Sequence, residues 1–188
     1  GDIQIAHAGG TGLAGAASVG VDFQIFWVLH DINAAEALVV RKGSDIEGPQ
    51  DLRGKRIAVP IGSTAHYHLL FALEQFNIGL DQIVLVRRDP QEMLRDWDDG
   101  LIDAAFVWDP ILSEIEKTGK VLLRSSQLRG WGRPTFAALA VNPAWAAENP
   151  GFMTDFVGAI AAADNAYRRN PGAWTRETAE IRNIAQIV

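Results

Sequence analysis

The stretch RIAVPIGSTAHYHLLFALEQF, residues 56–76, decides the fold. Residues 56–61 form a short apolar run of the kind that makes a buried strand, and Gly62 breaks it. Ser63 and Thr64 then stand ahead of Tyr67, Leu69, Leu70, Leu73 and Phe76, which recur with helical spacing. A strand, a glycine turn and a hydroxyl-capped helix make one βα unit.

Working outward, the same alternation continues in both directions. The segment IQIAHA (3–8) reads as a strand, and Gly9, Gly10 and Thr11 lead into a helix of small residues. FQIFWVL (23–29) and EALVVRK (36–42) read as strands, and GPQDLRGK (48–55) as a short helix or turn. QIVLVRR (82–88), DAAFVW (103–108), VLLRS (121–125) and TFAALAV (135–141) are further strands. Helices are expected over 90–100, 109–120 (with Pro110 in its first turn) and 150–169. Strands alternating with helices predict right-handed crossovers and mostly parallel sheets. The expected architecture is α/β with two lobes: residues 41–132 as one, and residues 1–40 with 133–188 sharing the other across two crossovers.

Composition narrows the function. The chain has 188 residues, 48% of them hydrophobic and 21% charged, as in an ordinary globular protein. Seventeen basic against 23 acidic residues, with no basic block, argue against a nucleic-acid partner. The absence of cysteine removes thiol nucleophiles and Cys-ligated zinc. Residues 3–8 read as a strand with nothing before it to pair with, and TAEIRNIAQIV (178–188) stops inside an amphipathic pattern. The chain is therefore expected to be a piece of a longer protein, truncated at both ends.

In open parallel sheets, ligands sit beyond the carboxyl ends of the strands. Residues 9–11, 62–66 and 107–110 meet that description. A helix start leaves N–H groups unpaired and carries about half a positive charge, which suits an anion. Gly10 and Thr11 form one such start, and Ser63 and Thr64 the other, with a hydroxyl as an extra donor. Simple N-capping accounts for each of them singly; the repetition after two strands is what favours a ligand. Neither loop carries a Walker lysine or a GxGxxG spacing, so a small anion is expected rather than a nucleotide.

His66 lies in the first turn beside this loop, whereas His68, two residues on, points elsewhere and either packs or faces solvent. The two cannot share one metal, and no metal site is expected. His7 and His30 are single and uninformative. Trp108 supplies either a pocket wall or core, and Asp109 is placed to cap the following helix. Glu36, ahead of ALVV, needs a partner: a ligand amine or a local salt bridge to Arg41 or Lys42. No nucleophile–base–orienter set can be assembled, so no catalytic residue and no cofactor is assigned.

Taken together, GDIQIAHAGGTGLAGAA, EALVVRKGSDIEGPQDLRGKRIAVPIGSTAHY, GLIDAAFVWDPILSEIEKTGKVL and WGRPTF resemble a known family. It comprises the solute-binding proteins of ABC importers for taurine, aliphatic sulfonates and nitrate, and the taurine-binding type is the nearest. The resemblance spans nearly the whole chain. It implies a periplasmic or membrane-anchored receptor of periplasmic-binding-protein-like fold, closing on one small sulfonate and delivering it to a membrane permease. It also implies that the family's first strands and its C-terminal helices lie outside this chain. The sulfonate is held in the family by positions matching Gly10 and Thr11 and those matching Ser63, Thr64 and His66, with the Trp108 position lining the cleft. Glu36, Asp109 and Thr135 complete the expected ligand-binding set. Taurine-binding relatives carry an acidic residue just after the Pro-Thr pair, whereas here PTFAALAV has Ala137 and Ala138. Glu36 or Asp109 can take that place, or the ligand is a sulfonate without an amine or another small organic anion; Arg133 favours an anion if it faces the cleft. Similar scaffolds serve desulfinases and thiamine-pyrimidine synthases, but through a cysteine nucleophile or a Cys-rich motif that this chain lacks. A sensory effector-binding domain is the third reading.

Overall fold

The computed structural model describes residues 3–172. The expectation for the amphipathic end, 178–188, falls outside them. Two sheets carry the described residues. The smaller has β1 (Ile5–Gly9), β8 (Phe136–Val141) and β2 (Gln24–Asp31) in that order. The larger has β5 (Val84–Arg87), β4 (Arg56–Val59), β6 (Ala104–Trp108), β3 (Glu36–Arg41) and β7 (Gly119–Arg124). Helices α1 (Gly10–Ser18), α2 (Thr64–Gln75), α3 (Pro90–Asp98) and α4 (Ile111–Thr118) follow β1, β4, β5 and β6 respectively. α5 (Ser125–Gly130), α6 (Pro143–Glu148) and α7 (Pro150–Arg169) also lie among the described residues.

The large sheet is mixed and the small one antiparallel, which corrects the expectation of mostly parallel sheets. Only β5–β4–β6 run parallel; β3 lies antiparallel to both β6 and β7, and β8 antiparallel to both β1 and β2. The reason lies in the connections. Helical crossovers join β4 to β5 and β5 to β6, which forces parallel pairing there. β3 instead arrives straight from the small sheet and β8 returns to it, and neither has a helical crossover to set its direction. β3 also lies wholly within the large sheet, so the chain passes between sheets at residues 32–35, before the expected division at 40/41. β1, unpartnered in the sequence reading, pairs with β8 through Ile5↔Val141 to Gly9↔Ala137.

β3 shows how the large sheet is buried on both faces. Leu38 and Val40 join Ile57, Val59, Leu69 and Phe106 in one cluster, against α2. Ala37 and Val39 point the other way, with Ala58, Ala105 and Val107, against Met93, Trp97 and Ile115 of α3 and α4. The two passages between the sheets run side by side, and the Ile32 N–H donates to the Thr135 carbonyl at 3.0 Å. Arg129 of α5 pairs with Asp31 at the end of β2 at 2.6 Å.

Candidate ligand-binding site

A cavity of about 540 Å³ lies where the two sheets meet. From the small sheet come His7, Gly9, His30 and Ala137, and Thr11 and Gly12 open α1. Glu36, Trp108 and Asp109 come from the strand ends of the large sheet, with Gly62, Ser63 and Thr64 from the β4–α2 turn. The two helix starts picked out from sequence thus share one hollow. They also touch: Thr11 Oγ1 donates to the Gly62 carbonyl at 3.3 Å. A Cβ added to Gly9 would lie 2.8 Å from Thr64 Cγ2, so the lack of a side chain there lets the loops close on each other.

The β4–α2 turn follows from its residues. Gly62 has φ +82°, which L side chains rarely adopt. Ser63 is the N-cap of α2, accepting the His66 N–H at 3.1 Å, while its own hydroxyl donates to the Pro60 carbonyl at 2.6 Å. The Thr64 hydroxyl donates to Glu36 Oε1. Each hydroxyl has one proton, already committed, so the expected hydroxyl donors to an anion are engaged within the protein. What the helix leaves open is backbone: the N–H groups of Thr64 and Ala65, which have no intrahelical acceptor. α1, whose N-cap Gly9 makes no side-chain bond, leaves its first-turn N–H groups of Gly10–Gly12 in the same state. His66 is drawn into the turn itself, its Nδ1 accepting the Gly62 N–H at 3.2 Å. Burial holds the His66 imidazole below its ordinary pKa, which favours the neutral ring that this acceptor role needs.

Glu36 is 2% exposed and is not paired with Arg41 or Lys42. Arg41 donates to the Ile102 and Trp97 carbonyls, and Lys42 to that of Lys117. Besides Thr64, Glu36 meets Ser125 Oγ at 3.4 Å and His68 Nδ1 at 3.5 Å. Glu36 stands directly opposite Trp108 in the β3–β6 register, which puts the two on one face. Asp109 Oδ1 caps α4, accepting the Ser113 N–H at 3.0 Å and its hydroxyl at 2.5 Å. The helix begins at Ile111, so Pro110 precedes it rather than lying in its first turn.

Three expected site residues stand back from the cavity wall. Gly10 packs against the Phe136 ring, His66 holds the turn, and Thr135 is buried in the return passage, its Oγ1 without a hydrogen-bond partner among the described residues. Arg133 stacks over Phe71, 4.9 Å from the ring centre, and is not a cavity residue. His7 and His30, uninformative as single residues, both line the cavity. Strand periodicity holds the signal for His7: it lies two residues before Gly9 and therefore on the same face. Among the described residues no group of three His, Asp or Glu side chains is placed to hold a metal ion.

The NMT1/THI5-like family matches residues 1–173. The chain is 38% identical over 187 residues to the taurine-binding periplasmic protein of Escherichia coli (strain K12), covering all of this chain and 58% of that protein. It is 26% identical over 156 residues to a putative aliphatic sulfonates-binding protein of Bacillus subtilis (strain 168), covering 82% of this chain and 46% of the relative. Among solved structures, the alkanesulfonate-binding protein SsuA from Xanthomonas axonopodis pv. citri bound to MOPS superimposes with a TM-score of 0.82 at 23% identity, over 96% of this chain and 62% of that one. The desulfurization enzyme DSZB shares the fold at a TM-score of 0.71 and 17% identity, over 92% of this chain and 65% of that one. The chain thus spans under two thirds of the length of each of these proteins.

Proposed function

We propose that this chain, which belongs to the NMT1/THI5-like family, is the ligand-gripping part of an ABC-importer solute receptor for a small sulfonate of the taurine or alkanesulfonate type. The observation that carries this reading is the meeting of two helix N-termini, from two different sheets, in one cavity. The sulfonate oxygens take the N–H groups of Thr11, Gly12, Thr64 and Ala65, helped by the partial positive charge of both helix ends. The two sheets act as lobes that move together about residues 32–35 and 131–135. Closure takes the anion out of water, where hydrogen bonds to a charged group contribute about 1.5–3 kcal/mol each. Three or four of them reach the roughly 8 kcal/mol of a micromolar complex. Trp108 supplies a flat wall for the organic part. Asp109 Oδ2, which takes no part in capping α4, receives an amine where the ligand has one. The whole protein works outside the cytoplasmic membrane and hands its ligand to a permease. No described helix is long and apolar enough to cross a membrane.

Titration calorimetry with taurine, ethanesulfonate, butanesulfonate, sulfate and nitrate tests the reading. Micromolar binding of at least one sulfonate is expected, with sulfate and nitrate weaker. Absence of heat with all five overturns it. The fold shared with a desulfurization enzyme gives a second reading, catalysis on an aryl sulfinate, which release of sulfite from such a substrate would revive.

A further inference from the structure

Behind the cavity wall lies a chain of buried polar groups that ligand contact alone does not explain. Glu36 is 2%, His68 1% and Ser125 0% exposed. Glu36 is the first residue of β3, directly after the first passage between sheets, and its two carboxylate oxygens point to different partners. Oε1 accepts from Thr64 Oγ1, at the lip of the cavity, and Oε2 faces Ser125 Oγ and His68 Nδ1. His68 Nδ1 shares a hydrogen bond with Ser125 Oγ at 2.8 Å, and its Nε2 lies 3.0 Å from the Arg133 carbonyl, in the second passage. A carbonyl only accepts, so Nε2 carries a hydrogen and donates it there. Ser125 has one hydroxyl proton, so where that proton goes to Glu36 Oε2 it is Nδ1 that donates to Ser125 Oγ, and the ring joins the Glu36–Ser125 pair to the second passage.

We propose that His68 is a positioning residue for the anion-binding turn: it fixes the Glu36 carboxylate that sets the Thr64 rotamer, and ties that turn to the second passage between the sheets. The role of Thr64 makes the positioning matter. Its hydroxyl is held by Glu36 on one side while its methyl meets Gly9 of the small sheet on the other. Turning the side chain breaks the first contact or drives a carbon into the second. A carboxylate free to swing would release Thr64 and the N–H groups that follow it. The inference rests on the receptor reading for its effect on affinity, but not for its effect on the turn.

The two imidazole nitrogens can be probed separately. The amide of asparagine reaches about as far as Nδ1, and that of glutamine about as far as Nε2. Amide hydrogen exchange of the unliganded full chain, followed by mass spectrometry, reads residues 62–66 and 131–135 directly. In His68→Phe both segments are expected to exchange at least tenfold faster, with β4 and β6 unchanged. His68→Gln, which keeps the donor to Arg133, restores protection at 131–135 only; His68→Asn restores it at 62–66 only. Where taurine or an alkanesulfonate binds the wild type, His68→Phe is expected to lose at least tenfold in affinity. Unchanged exchange at 62–66 in His68→Phe overturns the proposal, as does a uniform rise that includes β4 and β6. Should the wild type bind no sulfonate, the receptor reading fails while the exchange pattern still decides this one.

Discussion

Gly9→Ala is the substitution in which the geometry makes its sharpest claim. Gly9 is the N-cap of α1 at φ −71° and ψ 154°, extended backbone that alanine adopts without strain. A Cβ there would sit 2.8 Å from Thr64 Cγ2, whereas carbons pack at about 3.5–4.0 Å. The two loops must therefore separate by about 0.7–1.2 Å. The Thr11–Gly62 hydrogen bond, at 3.3 Å already near its limit, is then lost. The net effect on stability is at most about 2–3 kcal/mol. Overpacking costs about 1–3 kcal/mol, and the stiffer unfolded chain offsets about 0.4–1 kcal/mol of it. Binding suffers as well, because the N–H groups of α1 and α2 no longer reach one anion together. Loss of one charge-assisted hydrogen bond, about 1.5–3 kcal/mol, lowers affinity by roughly ten- to a hundredfold. Calorimetry with the tightest wild-type sulfonate measures this. Gly15→Ala is the control, since a Cβ there meets nothing within 4 Å and a helix interior gains up to about 1 kcal/mol from alanine. Gly9→Ala binding within twofold of the wild type refutes the claim that the loops grip one ligand.

Other substitutions separate the roles of neighbouring groups. Thr64→Val keeps the shape but leaves a buried Glu36 oxygen without its donor, and should cost about 1–3 kcal/mol in denaturant unfolding. Asp109→Asn keeps an oxygen for the α4 cap while removing the charge, so the ratio of taurine to ethanesulfonate affinity should fall at least fivefold. The native fold disfavours charging His66, so its contribution is complete above the ordinary value of 6.5 and is lost as pH falls through that value towards the lower folded one. The fall in Tm between pH 7.5 and 5 should therefore be smaller in His66→Gln than in the wild type. Asp103 is held below its ordinary carboxylate range by hydrogen bonds from Arg56, so its contribution is present above about 3.8 and is lost at lower pH. Asp103→Asn should lower stability at pH 7 by about 1–2 kcal/mol and flatten the acid limb.

Much of this molecule is legible along the chain because its determinants are local. The helix over 64–75 is announced by Ser63 and by the spacing of Leu69 and Leu73, and the strands by short apolar runs between glycines and prolines. The pairing of the two helix starts in one cavity follows from strand-then-helix order and the position of the strand ends. What stayed hidden depends on partners far apart in sequence. The apolar run of β3 reads the same in a parallel or an antiparallel sheet, because both faces are buried either way. Glu36 finds Thr64, Ser125 and His68 rather than its neighbours Arg41 and Lys42, and nothing in its flanks foretells this. α5 begins at SSQLRG, a stretch too short to show helical period. The commitment of the Ser63 and Thr64 hydroxyls inside the protein is equally a matter of geometry, and it moves the expected donors from side chain to backbone.

An amide-resolved NMR titration with the preferred sulfonate tests the two-helix grip most directly. The account predicts saturable downfield shifts of the Thr11, Gly12, Thr64 and Ala65 amide protons with a single dissociation constant, and little change over residues 84–101. Shifts at only one of the two helix starts, or at neither while the sulfonate binds elsewhere, would contradict it.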